Sequence, residues 1–504
     1  MPDATTGASG FPIAPGLRRL CKILNMAEVQ TSQTPPALPA RRWPPQIKFI
    51  VGNEACERFS YYGMRSILAG YITGAVVKGG LGQTDDSATE LIHLFVFANY
   101  FMPLFGAWLS DKIIGRYHTI LWVSLFYCAG HGVLACSGFA TDTHGRMLCL
   151  CIGLALIAFG SGGIKPCVSA FMGDQFKPEE SHLLQKAYGA FYWSINFGSF
   201  FSFLVIPWIK DHRGYSPAFA VPGILMAIAT FIFWSGRNHY VRVPPSRVTR
   251  RAGFFKVLFA ALTGTREKGK GFWSGARGQF SDAEIDAAKS VPPILMIFAL
   301  IPIFFSLFDQ TNSTWVLQGE KMTSANIFGF TIGAEEMQSM NPLIVMILVP
   351  LFTLGIYPRI GKIASPLNRM TIGMFLAAGS YLVVAAIQLR LEHGEQVNVL
   401  WQTVPYFILT AAEVLVSTTG LEFAFREAAP EMKSIIMAFW LLAIAVGDLF
   451  IAVLTKLLSN GTGDAAVSTH RFLQYAGLTF VVAILFSVVA AFYKYRDPAA
   501  ARGK

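Results

Sequence analysis

Apolar runs of about 20 residues recur from one end of this chain to the other, each long enough to cross the ~30 Å of hydrocarbon in a bilayer. They fall at roughly 47–77, 87–110, 117–140, 146–172, 187–209, 217–235, 291–318, 338–357, 366–389, 402–426, 433–457 and 471–494. Backbone polar groups find no water in lipid, so segments of this kind are helices. With 53% hydrophobic and 14% charged residues in 504, the chain is too apolar for an ordinary soluble protein. It reads as an all-α polytopic membrane protein with twelve transmembrane helices.

The net charge of +11 could point to nucleic acid, but its distribution points to a membrane. Arg237, Arg242, Arg247, Arg250, Arg251, Lys256, Arg266, Lys268, Lys270 and Arg277 crowd the connection between runs six and seven. More basic residues sit at 18–22, at 41–48, at Lys112 and Arg116, at Arg359, Lys362 and Arg369, and at Lys494 and Arg496. With twelve spans all of these fall on one side. The acidic or mixed loops around Asp85, Asp86, Glu90, Glu335, Glu336, Glu392 and Glu395 fall on the other. By the positive-inside rule both termini are cytoplasmic. Residues 1–45, rich in Pro, Ser and Thr, read as a disordered cytoplasmic arm and not as a signal peptide. The lack of a targeting extension predicts a plasma membrane or a bacterial inner membrane. Seven cysteines lie mostly within the apolar runs without metal-type spacing, so they read as packing thiols.

The runs group as six and six: 46–235, a basic cytoplasmic linker at 236–290, then 291–495 and a short tail, 496–504. The linker is expected to contain a short amphipathic helix, and "FSDAEIDAAKS" (280–290) reads as a capped start into run seven. Two six-helix halves around a central cavity imply a transporter of alternating access. "GAWLSDKIIGRYHT" (106–119) places Asp111, Lys112, Gly115 and Arg116 between runs two and three, at a spacing that resembles the major facilitator fold.

Charges inside such runs are costly in lipid and mark function by default. On a helix, Glu57, Arg58, Tyr61, Tyr62 and Arg65 all lie within about 80° of the direction of Glu54. Three crowded charges on two turns are poor structural glue, and a carboxylate in a low-dielectric cavity can bind and release a proton. His93 in run two is another titratable candidate, whereas His131 in run three reads as core. At a rise of ~1.5 Å per residue, Arg65 and Asp309 reach a similar outer depth, and Lys165 and Glu413 a lower one. Depth alone therefore predicts two gate pairs between the halves, Arg65 with Asp309 and Lys165 with Glu413.

The stretch "NEACERFSYYGMR" (53–65) reads E-x-x-E-R-F-x-Y-Y-G, which resembles the first-helix signature of the proton-dependent oligopeptide transporter family. "FYWSINFGSF" (191–200) and "GSGGIKPCVSAFMGDQF" (160–176) resemble its helix 5 and helix 4 segments. "FDQTNSTW", "MNPLIVMILVP" and "AAEVLVSTTGLEFAF" resemble its helices 7, 8 and 10. The matches run in chain order from about 48 to 445. The resemblance implies that Glu54, Glu57 and Arg58 couple to protons, with Lys165 and His93 also involved in coupling. It implies that Arg58 and Lys165 receive a peptide carboxylate, and that Glu413, assisted by Asn196 and Asn341, receives the α-ammonium. Tyr61, Tyr62, Tyr100, Ser417 and Trp440 become cavity positions, and Arg65 and Asp309 an outer gate. The chain departs from the family in three places. The linker is too polar to hold two extra helices, Ser306 stands where a tryptophan is often found, and Ser417-Thr418 replaces a Ser-Pro pair.

A di- or tripeptide always offers a carboxylate and an ammonium a fixed distance apart, and cationic and anionic side chains at opposite ends of a cavity can read both. The expectation is a proton-coupled symporter for di- and tripeptides. Its partners are those peptides, protons and the lipid bilayer, with no nucleic acid, and it is expected to work as a monomer. It needs no cofactor, because the proton gradient supplies the energy. No catalytic triad, phosphate loop or metal cluster appears, so neither an enzyme nor an ATP-driven pump is expected. The other readings are the same fold carrying another solute, such as nitrate or an amino-acid conjugate, and a peptide receptor that transports nothing.

Overall fold

The computed structural model describes residues 43–177, 181–245, 253–265, 271–360, 365–459 and 466–495. Most of the expected N-terminal arm, the tail at 496–504, and Arg247, Arg250, Arg251, Arg266, Lys268, Lys270 and Lys362 lie outside the described residues.

Ten helices among the described residues are long and apolar enough to cross a membrane. In the numbering used below these are span 2 (Asp85–Ile114), span 3 (Arg116–Phe139), span 4 (Thr143–Gly173), span 5 (Lys186–Arg213) and span 6 (Tyr215–Ser235). They continue with span 8 (Glu336–Ile356), span 9 (Pro366–Glu392), span 10 (Val399–Glu427), span 11 (Pro430–Ser459) and span 12 (Thr469–Phe492). Span 7 is broken: Asp282–Phe298 and Pro302–Asn312 meet at 45°. Span 1, Ile47–Ser66 continued by Leu68–Thr73, falls short on composition alone, because it carries Glu54, Glu57, Arg58 and Arg65. All four are buried in protein, and a 20-residue helix at ~1.5 Å per residue is ~30 Å long.

Local chemistry explains the ends and breaks. Ser281 caps Asp282–Lys289 in a reciprocal capping box with Glu284, which starts span 7 where "FSDAEIDAAKS" places it. Pro302 heads the second half of span 7, so the helical hydrogen bonds lapse there. Beyond it, Asp309–Asn312 tightens into a 3₁₀ turn. Span 10 changes to a π-helix over Val414–Thr418, immediately after Glu413. Such bulges often mark functional positions.

Small residues let the helices approach. A Cβ on Gly106 of span 2 would collide with the backbone of Gly163 in span 4, and one on Gly447 of span 11 with the carbonyl of Pro302 in span 7. Close backbone approach of this kind supplies the dispersion contacts that hold helices together in lipid. Buried hydrogen bonds also tie helices of the first half to one another. Asn53 donates to the carbonyl of Ala229 at 2.9 Å. Ser60 donates to the carbonyl of Pro222 at 2.7 Å, so the His131 Nε2–H at 2.9 Å is the donor to its hydroxyl.

The two ends of the bundle differ. Between spans 6 and 7 the linker forms a short helix, Phe254–Thr263, followed by the turn Phe272–Ala276. At the opposite end, a two-stranded hairpin pairs Ala325–Ile327 with Phe330–Ile332. Its turn residues Phe328 and Gly329 both have positive φ, 50° and 86°, as a two-residue hairpin turn requires. The two ends are called the linker end and the hairpin end below.

Candidate functional site

Span 1 brings its charges together. Arg58 Nε donates to Glu54 Oε1 at 2.7 Å, one helical turn away. Glu57 Oε2 is also 2.7 Å from that nitrogen, but the single N–H points to Glu54, and neither oxygen of Glu57 has a hydrogen-bond donor. One guanidinium thus faces two buried carboxylates. Glu57 is a buried acceptor with an unfilled requirement, which a proton or a further cation would meet.

Lys165 of span 4 lies over the rings of Tyr61 and Tyr100, with its Nζ 4.5 Å and 4.7 Å from their centroids. Cation–π contact holds an ammonium without neutralising it. The Tyr61 hydroxyl accepts from Asn99 Nδ2 at 2.8 Å, and its ring meets Tyr62 edge-on at 5.3 Å. The Asn196 side chain donates to the carbonyl of Tyr192 within span 5 at 3.0 Å.

The second half carries the opposite charge. Glu413 Oε2 accepts from Asn341 Nδ2 of span 8 at 2.7 Å, and the same nitrogen reaches Thr410 Oγ1 at 3.2 Å. Ser417 sits one turn on, in the π segment, its hydroxyl buried and without a partner. Trp440 is buried against the rings of Phe298 and Phe305, with centroids 5.2 Å and 5.8 Å away. It also packs on Gly420.

The expected Lys165–Glu413 gate pair is not formed. Each charge is held inside its own half, Lys165 by two tyrosine rings and Glu413 by Asn341. Depth along a helix fixes one coordinate and leaves open the direction in which a side chain points, and these two point at different partners.

Toward the hairpin end the halves are joined. Arg65 Nη2 donates to Asp309 Oδ1 at 2.7 Å, with both side chains buried. His93 of span 2 touches two residues of the other half, Ser313 Oγ at 3.0 Å and Asp448 Oδ1 of span 11 at 2.7 Å. Further out, Lys210 of span 5 pairs with Glu335 at 2.7 Å, Lys321 with Asp85 at 2.8 Å and Lys456 with Glu90 at 2.9 Å. Glu335 precedes span 8. Burial outweighs the attraction of Lys210 and pushes its carboxyl up to about 8.

Sequence reasoning missed Asp448, Glu335 and Lys210. Asp448 had a readable signal, a lone acid in the middle of an apolar run. Ser306, standing where a tryptophan was expected, is wholly buried, and its backbone nitrogen lies 3.1 Å from where a Cβ on Gly447 would be. The small residue at 306 thus goes with the close approach of span 11 that sets Asp448 beside His93.

The profile "PTR2: POT family" matches residues 117–471. The chain is 36% identical over 382 residues to "Peptide transporter family 1" of Drosophila melanogaster, covering 73% of this chain and 50% of that protein. It is 34% identical over 408 residues to "Solute carrier family 15 member 2" of Homo sapiens, covering 77% and 55%. It spans about half the length of the curated relatives it matches. Among solved structures it resembles an auto inhibited POT family peptide transporter with a TM-score of 0.82 and 39% identity, over 90% of this chain and 98% of that one. The POT family transporter PepTSo gives a TM-score of 0.81 and 37% identity over 91% and 100%. With the profile, the fold and the relatives in agreement, this chain belongs to the POT family of transporters and has the major facilitator fold.

Proposed function

We propose that the protein is a proton-coupled symporter that imports di- and tripeptides by alternating access between its two six-helix halves. The observation that carries this reading is the separation of charge across the halves. Arg58 and Lys165 sit on the first half and Glu413 on the second, with no bond between Lys165 and Glu413. A peptide's carboxylate and ammonium match those two ends, and its variable side chains touch neither. The relatives named as peptide transporters support the same class of substrate.

In this reading the hairpin end faces outward, both termini are cytoplasmic, and the conformation is closed to the outside. The contacts from Arg65, His93 and Lys210 to the second half favour that assignment. Glu54, Glu57 and Arg58 form the proton-coupling group, because protonating a glutamate loosens its hold on Arg58 and frees the guanidinium for the peptide carboxylate. The protein works as a monomer in a plasma or bacterial inner membrane. It needs no cofactor, since the proton gradient drives uptake, each charge contributing about 2.3 kcal/mol per 100 mV of potential.

Uptake of a labelled dipeptide into liposomes under an inward proton gradient tests the reading. Accumulation that collapses with a protonophore supports it. Accumulation of nitrate or an amino-acid conjugate but of no peptide would move the assignment to another solute. Peptide binding without uptake would make the protein a receptor.

A further inference from the structure

The acid on span 11 is the most deeply placed charged group that the coupling scheme leaves unused. His93 and Asp448 are each 0% exposed, and Asp309 is 2% exposed. Asp448 Oδ1 meets His93 Nδ1 at 2.7 Å, while its Oδ2 has no hydrogen-bond donor and its carboxyl lies beside that of Asp309. Among the described residues, Lys165 also acts on Arg65 and Asp309 but belongs with Arg58 to the set that balances Glu54 and Glu57. Glu413 adds a further negative charge toward Asp309. The group itself draws on four spans. Arg65 comes from span 1, His93 from span 2, Asp309 from span 7 and Asp448 from span 11. The phenols of Tyr61 and Tyr100 complete the surroundings of Arg65. One turn outward, Glu90 and Lys456 neutralise each other.

Counting charge over this group gives an unbalanced sum. Arg65 supplies one positive charge, and Asp309 and Asp448 one negative charge each. With a neutral imidazole the sealed group carries an excess negative charge, which burial penalises heavily. One added proton restores neutrality. The geometry has a place for it, because Nδ1–H can donate to Asp448 in either protonation state of the ring. Nε2 then faces Ser313, whose hydroxyl donates to it when the ring is neutral and accepts from it when the ring is charged.

We propose that Asp448 is a positioning residue for proton coupling: it fixes the His93 ring and makes the closing of the outer side depend on one proton held between them. The proposal rests on reading the two halves as alternating, and not on which solute they carry. Closing takes up a proton, so it is favoured at low pH. The ratio of closed to open protein then falls by at most about tenfold per pH unit as the pH rises.

Spin labels at Val77 and Phe328, which are 94% and 99% exposed on loops of opposite halves at the hairpin end, would report closure in nanodiscs without substrate. A Glu335→Gln background removes the titrating carboxyl at the rim. In that background the labelled protein should lose closure as the pH rises from 5 to 9. Asp448→Asn should stay closed throughout, because its buried group is neutral without the proton. His93→Gln alone should close only at a more acidic pH, and adding Asp448→Asn to it should restore closure at pH 8. A purely structural hydrogen bond predicts the reverse, with the double variant the worst. If Asp448→Asn keeps the parent's pH dependence, or the double variant closes no better than His93→Gln, the proposal is overturned. If Asp448→Asn does not fold, His93→Gln decides, and closure at pH 8 unchanged from the parent overturns it. A label distance that never changes in the parent would remove the alternating reading, and the proposal with it.

Discussion

Arg65 and Asp309, 244 positions apart in sequence, meet at 2.7 Å with both side chains buried, and their contact ties span 1 to span 7. Breaking a buried pair strands a charge, at a cost of about 3–5 kcal/mol. Arg65→Asp and Asp309→Arg should each abolish dipeptide uptake. The double exchange restores opposite charges at the same place, and it should recover a measurable part of the rate. Uptake in the double variant no higher than in either single one would count against direct pairing.

Glu335 sets a pH dependence at the rim. Its carboxyl is pushed from the ordinary 4.5 up to about 8 when the outer side is closed, so closing takes up a proton between those two values. The stabilisation is fully present at the acid end and is lost as the pH rises through about 8. Glu335→Gln should therefore leave a larger closed fraction than the unmodified protein at each pH from 7 to 9, read by the Val77–Phe328 distance, while the pH dependence set by His93 and Asp448 remains. It should also flatten the titration by about one proton. An unchanged titration would mean that the carboxyl stays charged on Lys210.

Gly447 controls how closely span 11 approaches the break in span 7. A side chain there meets the carbonyl of Pro302 and the backbone of Ser306, and overpacking of this kind costs about 1–3 kcal/mol. Gly447→Val should lower the unfolding temperature in detergent and weaken the pH dependence of closure, since it moves Asp448 away from His93. Gly477, whose added Cβ would meet nothing within 4 Å, serves as the control: Gly477→Ala should change neither.

Arg58 faces two carboxylates with one nitrogen, and its planar fork is the feature a peptide carboxylate would use. Arg58→Lys keeps the charge and loses the two-pronged contact. Dipeptide affinity in detergent should fall by roughly tenfold or more, in line with about 1.5–3 kcal/mol for a hydrogen bond to a charged group. An affinity within twofold of the parent would place the carboxylate elsewhere.

Which parts of this arrangement could be read from sequence follows from what each signal measures. Spans 1 and 7 start from the same end, so counting residues was enough to set Arg65 level with Asp309. The same count set Lys165 level with Glu413, yet the two do not meet, because a rise per residue carries no information about azimuth. The capping box at Ser281 is local and its letters announce it. The π segment after Glu413 arises from packing around span 10, and nothing in "VLVST" announces it. Composition undervalues span 1 because its charges face one another and span 7 inside the protein instead of lipid. Asp448 was legible as a lone acid, but its meaning depends on His93, 355 positions away.

The most direct test of the account separates coupling from transport. Wild type, Glu54→Gln and Glu57→Gln would be reconstituted in liposomes, and labelled dipeptide followed in two modes: accumulation under an inward proton gradient, and exchange against internal peptide with no gradient. If the carboxylates around Arg58 carry the proton, both variants should lose accumulation and keep a substantial part of the exchange. Accumulation at the wild-type level in both variants would contradict the account and remove these glutamates from the proton path.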